Sequence, residues 1–226
     1  TLPLPEGSGV FALGSNGLAS GLESTDAMAH GLCEVIERDA LALFYERTPT
    51  EQAARRLALG SIDDPCCKAL IAHFERAEVG VAVWDMTSDL GIAAFLCSVG
   101  ETLWNPLRPV GTARGYGCHP DRAIALRRSL TEAAQSRLTR IAGSRDDMQE
   151  ADISVIRSQS SIEHQLAHLA QAPLATHSFQ SVPSQACGTA AEVVAAARSR
   201  LEAAGFDQAL SVDLSRQGWP IAVARC

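Results

Sequence analysis

Residues 14–47, GSNGLASGLESTDAMAHGLCEVIERDALALFYER, constrain the fold more than any other stretch. A glycine-rich turn runs into a capping cluster and then into a helix with acids on one face. Ser24 or Thr25 can supply the N-cap oxygen, and Asp26 then sits in the first turn, where the helix dipole favours an anion. Met28, Leu32, Val35, Ile36 and Leu43 recur at helical spacing and predict an apolar face. His30, Glu34 and Glu37 stand at i, i+4 and i+7 and share the opposite face. Arg38 is the one neighbouring cation and points about 100° away from Glu37. The plain alternative is a solvated charged face. A bound cation would relieve the repulsion, and Mg²⁺, which takes one or two carboxylates together with phosphate oxygens and water, suits such a pair.

A second copy favours the cation. Gly31-Leu32-Cys33-Glu34-Val35-Ile36-Glu37 aligns with Ser129-Leu130-Thr131-Glu132-Ala133-Ala134-Gln135. Upstream, Gly17-Leu18-Ala19-Ser20-Gly21 falls against Gly115-Tyr116-Gly117-Cys118-His119. The pattern predicts a duplicated unit of glycine turn plus acidic helix. Arg128, Glu132 and Gln135 take the places of His30, Glu34 and Glu37, so two helices are expected to show polar groups to a shared cleft. Arg128 and Glu132 at i, i+4 can also be read as a surface ion pair.

Residues 1–11, with Pro3, Pro5, Gly7 and Gly9, read as a loop or linker. Ser15 and Asn16 offer polar groups in the turn before the first helix, although the turn matches neither GxxxxGK[ST] nor GxGxxG. A short helix is expected over Glu51 to Leu59. Asp64-Pro65 opens a helix reaching about Ala77, with Ala69, Leu70, Phe74 and Ala77 inward. Val79 to Met86 and Ile92 to Val99 predict an antiparallel hairpin, apolar throughout and hence covered on both faces. A glycine-broken strand over Val110 to Tyr116 leads to a long helix opened by Pro120-Asp121 and reaching Ala142.

Arg137, Arg140, Arg145, Asp146 and Asp147 read as solvated surface. A helix is expected over Ser161 to Ala170, where His164 and His168 form half of a metal motif without a third ligand. Pro173 to Gly188 reads as a mobile loop over a cleft. The helix Ala190 to Ala204, a strand Gln208 to Leu214 with Asp213, and a last strand Pro220 to Cys226 follow. This alternation predicts an α/β or α+β domain with a mixed or antiparallel sheet.

The net charge of −7 excludes a general nucleic-acid surface, and no apolar run approaches a membrane span. Seven irregularly placed cysteines without CxxC point to reduced thiols in the cytoplasm. Cys33 and Cys118, beside the expected site, read as small buried hydrophobes. The start at Thr1 without Met and the stop at Cys226 inside an expected strand suggest a piece truncated at both ends.

SNGLASG followed by HGLCEVIERDA, and then GYGCHPDRAIALRRSLTEAAQSRL with GSRDD, resembles the YcaO superfamily. The final SVDLSRQGWPIAVARC is similar more loosely. The resemblance implies one YcaO-like domain over 1–226 and ATP-dependent activation of a peptide backbone amide, leading to azoline or thioamide formation. It implies that Glu34, Glu37 and Glu132 hold Mg²⁺ on ATP. Ser15, Asn16, Arg38, Arg128 and Gln135 would lie at the phosphates. Implied partners are a precursor peptide, a companion protein delivering substrate or sulfur, and a second copy in a homodimer. Family members also carry an upstream glycine- and lysine-containing segment that nothing before Ser15 resembles, and azoline formers a proline-rich tail that is absent here. A non-catalytic peptide-binding or scaffold subunit is the rival reading.

Overall fold

The computed structural model describes residues 14–101, 110–143, 158–170 and 176–226. Its centre is a three-stranded antiparallel sheet in the order β2 (Val79–Asp85), β3 (Ala94–Glu101), β4 (Ala113–Cys118). The hairpin is the expected one, with Val83 opposite Cys97 and Leu96 opposite Tyr116. Alternation sends Ala82, Trp84, Ala94 and Leu96 to one face. There Leu32, Ile36, Ala40 and Phe44 of α1 (Ser24–Tyr45) cover them, joined by Val193 and Ala197 further along the chain. Val83, Phe95, Cys97, Val99 and Ala113 face the other way. They pack on Cys67 and Ile71 of α3 (Pro65–Arg76) and on Leu126 and Leu130 of α4 (Arg122–Ala142). Both faces of the sheet are therefore covered, as strands without alternating polarity require.

A second sheet has the order β1 (Leu18–Gly21), β6 (Ala222–Arg225), β5 (Val212–Asp213), again antiparallel. It leans on the start of α1 through Ala27, Ala222 and Ala224. The strand expected over Gln208 to Leu214 shrinks to two residues because β5 has only Arg225 and Ala224 opposite it. Asp213 caps the turn after it, accepting from the Ser215 N–H at 2.8 Å.

Helix boundaries follow local chemistry. Asp64 accepts from the Cys67 N–H at 2.8 Å and Pro65 opens α3. Asp64→Ala is expected to cost about 1 kcal/mol, read as a lower midpoint in thermal denaturation. Cys67 and Ile71, not Ala69 and Ala77, are the buried residues of that helix. Thr48 and Glu51 form a capping box that starts α2 at Pro49, and the helix stops at Ala54 rather than near Leu59. At the start of α1 the N-cap is Glu23, whose N–H donates to the Asp26 carboxylate at 3.1 Å, so neither Ser24 nor Thr25 caps. The inner face of α1 runs through Ala29, Leu32, Cys33, Ile36, Ala40 and Phe44, while Val35 and Leu43 are exposed.

α5 (Gln159–Ala170) begins two residues earlier than expected, and α6 (Ala190–Ala203) is capped by Thr189. The described part of the segment before α6, residues 176–188, is held to the body of the fold at Phe179. Phe179 is buried, its ring 6.1 Å from that of Phe95, and its N–H donates to Ser61 Oγ at 2.9 Å. Arg137 and Arg140 are also anchored: buried Arg137 pairs with Glu101 at 2.9 Å, and Arg140 donates to the Thr112 carbonyl. Among the described residues no helix is long and apolar enough to cross a membrane. The expected N-terminal linker, Arg145, Asp146, Asp147 and the side chains of His164 and His168 lie outside the described residues.

Candidate active site

The site forms around β4, whose only strand partner among the described residues is β3. Its other edge would expose unpaired backbone groups. Gly115 lies in the expected strand, and the strand runs on through Gly117 in place of a turn, with the α4 backbone pressed against both. A Cβ on Gly117 would meet the Ala125 carbonyl and stand 2.6 Å from the Ser129 nitrogen. This approach lets two α4 side chains reach the open edge. Arg128 Nη1 donates to the Cys118 carbonyl at 3.2 Å, and the Glu132 carboxylate comes beside the Tyr116 N–H, which draws its pKa down. Arg128 and Glu132 thus serve the strand edge, and the surface ion pair between them does not form.

From the other face of the sheet, α1 brings Glu34, Glu37 and Arg38 to the same edge. The helices lie on opposite faces of the sheet and their acids approach one another around β4, while His30 of α1 and Arg128 of α4 line one cleft, as expected. Glu37 is 8% exposed. Burial first, then the charges of Glu132 and Glu34, push its carboxyl up to about 7, against the pull of Arg38 and Arg128. Burial also raises Glu132, opposed by the Tyr116 N–H and Arg38. Arg38 pairs with Glu34 at 3.6 Å and lies 5.8 Å from the centre of the Tyr116 ring. It is not the one cation near Glu37, since Arg128 arrives from α4.

Glu34, Glu37, Glu132, Arg38 and Arg128 are therefore brought together. Ser15 and Asn16 sit exposed in a turn closed by the Leu18 N–H donating to the Ser15 carbonyl at 2.9 Å. Gly17 (φ +75°) lets that turn cross α1 at Gly31, where a Cβ would stand 2.6 Å from the Gly17 carbonyl oxygen. Gln135 is exposed one turn beyond Glu132. No hydrogen bond among the described residues joins Ser15, Asn16 or Gln135 to the acids.

Among the described residues no three acid, histidine or cysteine side chains form a preformed metal cage. The donor set fits Mg²⁺ held through one or two carboxylates and completed by phosphate and water. Arg38 Nε adds to the fit. It is buried with no hydrogen-bond partner, a state costing about 1–3 kcal/mol that an anionic ligand would relieve.

The adjoining cleft of about 360 Å³ is lined by Asp26, His30, His119, Arg128, Cys187 and Thr189 among others; sequence reasoning placed His30 and Arg128 at a shared cleft but missed His119. The local signal was present: His119 stands two residues before Asp121, the N-cap of α4, and its Nδ1 accepts from the Asp121 N–H at 2.9 Å. Burial, then Arg128, lowers the pKa of both His30 and His119. Cys33 and Cys118 are buried in contact beneath the site, and all seven cysteines are free thiols. Cys118 and Arg128 draw the Cys33 thiol down against burial, while Cys33 and burial raise Cys118.

A paired strand and helix, twice over, with acids converging on a strand edge, defines an α/β protein built to hold charge. The sequence profile described as YcaO cyclodehydratase, ATP- and Mg²⁺-binding, matches residues 2–226, and the chain belongs to the YcaO family. It is 34% identical over 223 residues to the uncharacterized protein of the tfuA 3′ region in Rhizobium leguminosarum bv. trifolii. That match covers 95% of this chain and 51% of the relative. A heterocyclase in complex with substrate and cofactor superposes with a TM-score of 0.72 at 25% identity, over 99% of this chain and 29% of that one. YcaO from Methanopyrus kandleri, bound with AMPPCP and Mg²⁺, superposes with a TM-score of 0.71 at 21% identity, over 95% and 55%. The chain thus spans about half, or less, of the length of these relatives.

Proposed function

We propose that this chain, one YcaO-like unit over 1–226, takes part in the ATP- and Mg²⁺-dependent O-phosphorylation of a peptide backbone amide, leading to an azoline or a thioamide. The observation that carries the reading is the meeting of Glu34, Glu37 and Glu132 at the open edge of β4, flanked by Arg38 and Arg128. In this reading Glu34, Glu37 and Glu132 would each lend a carboxylate to Mg²⁺, one or two to an ion that phosphate oxygens and water complete, and the metal would supply charge neutralisation on the ATP phosphates. Arg38, Arg128 and Gln135 contact phosphate oxygens, and Ser15 and Asn16 offer the turn at the phosphates.

The nucleophile is a Cys, Ser or Thr side chain of the substrate for an azoline, or external sulfide for a thioamide. It bonds to the amide carbonyl carbon as the π pair moves onto oxygen. That oxygen bonds to the γ-phosphorus as the bond to ADP breaks. Phosphate then leaves with the former carbonyl oxygen. Nitrogen, for an azoline, or sulfur, for a thioamide, gives up a proton and closes the new double bond. The protein contributes positioning and charge stabilisation, and none of its residues needs to become a covalent nucleophile.

The partners in this reading are a precursor peptide, a companion protein delivering substrate or sulfur, and a second copy in a homodimer. Free thiols suit the cytoplasm. Glu132→Gln tests the metal role in the full-length protein, since the amide keeps an oxygen for the Tyr116 N–H and removes the charge. Calorimetric titration with MgATP is expected to give an affinity more than about tenfold weaker, ~1.4 kcal/mol. Equal affinity for both proteins sinks the metal role. Peptide binding by a wild-type protein that takes no MgATP supports the scaffold reading.

A further inference from the structure

We propose that His119 donates a hydrogen bond from Nε2 to the oxygen of the reacting amide, in the cleft where the N-terminal ends of α1, α4 and α6 meet. The assignment rests on the amide activation proposed above and adds to it a residue and a place for the substrate.

The cleft continues the acid site. His30 lies one turn before Glu34 on α1, Arg128 lies one turn before Glu132 on α4, and both line the cleft. Arg128 belongs to both places, bonding the Cys118 carbonyl at the strand edge and forming part of the cleft wall. A phosphoryl group held by Arg128 would border the cleft, which gives an acceptor oxygen a way to reach it.

His119 is fixed at this point from two sides. Its backbone N–H donates to the Ala93 carbonyl at 3.0 Å, and its ring Nδ1 accepts from the Asp121 N–H at 2.9 Å. With the Nδ1 lone pair used, the proton of the neutral ring sits on Nε2. The residue is only 5% exposed. No hydrogen bond among the described residues engages Nε2, and His119 lines the cleft. Burial and the charge of Arg128 favour the neutral ring. A fixed neutral donor in a largely buried position suits an oxygen on which negative charge develops during the reaction.

The competing role is structural, a cap on the turn between β4 and α4. Two substitutions separate the roles. In His119→Asn the side-chain oxygen can accept from the Asp121 N–H in place of Nδ1, but the distal donor is gone. In His119→Gln the amide N–H can take the place of Nε2–H, but the cap is weakened. The probe is MgADP with orthovanadate on the full-length protein, because the apical oxygen of bound vanadate occupies the acceptor's place. MgADP alone is expected to bind all three proteins equally. MgADP–vanadate is expected to bind His119→Gln within about threefold of wild type and His119→Asn at least about tenfold more weakly. Vanadate held as tightly by His119→Asn as by wild type overturns the donor role, as does a ¹⁵N spectrum placing the ring proton on Nδ1. Failure of the wild-type protein to bind MgADP overturns the nucleotide reading beneath it, and vanadate loss confined to His119→Asn supports the donor.

Discussion

Glu37→Gln is expected to make the nucleotide-free protein more stable at pH 8 and to remove its stabilisation by MgATP. The carboxyl of Glu37 stands at about 7 in the folded chain against an ordinary 4.5. Between those values the folded state holds a proton that the unfolded chain has released. The favourable contribution is therefore complete below 4.5, declines as pH rises, and is gone once pH passes about 7. A displacement of this size corresponds to about 3 kcal/mol. Gln cannot ionise, so the variant should exceed wild type by about that amount at pH 8 and match it near pH 4. Urea melts of both proteins at the two pH values, with and without MgATP, read the effect directly. A wild-type advantage at pH 8 without ligand would show that Glu37 is not held against its neighbours. The trade of stability for a charged, buried acid is what a binding residue entails.

The acids were legible in the sequence because helical periodicity places Glu34 beside Glu37, and the same spacing recurs at Glu132. What periodicity could not supply was the sheet between the two helices. Whether Gly115 and Gly117 belong to a turn or a strand depends on the pairing of Leu96 with Tyr116, a contact across 20 residues of chain. Once that register is set, the glycines face α4 and Tyr116 faces α1, so the acids converge around an edge. The first cap was missed for a related reason. Glu23 is an uncommon N-cap, and only the reach of Asp26 back to its N–H reveals it. His119 was hidden because GYGCH read as turn, which left its ring no defined direction.

Gly117→Ala is expected to be among the most damaging single changes outside the hydrophobic core. The added methyl would strike the Ala125 carbonyl and lie 2.6 Å from the Ser129 nitrogen and 2.9 Å from Arg128 Cβ. Two of these neighbours are helix backbone, which cannot rotate aside as a side chain can. Relief requires α4 to move away from β4, opening contacts around Ala125, Leu126 and Ala133, all fully buried. The cost is on the order of 3 kcal/mol or more. The same displacement draws Glu132 from the Tyr116 N–H and Arg128 from the Cys118 carbonyl, so MgATP should no longer raise the melting midpoint. Gly60→Ala is the control, since nothing lies within 4 Å of a Cβ there. Thermal melts with and without MgATP should leave that control unchanged and lower Gly117→Ala by several degrees with no recovery on adding ligand. A Gly117→Ala protein that melts like wild type and still responds to MgATP would mean that the close approach of α4 to β4 does not position the acids.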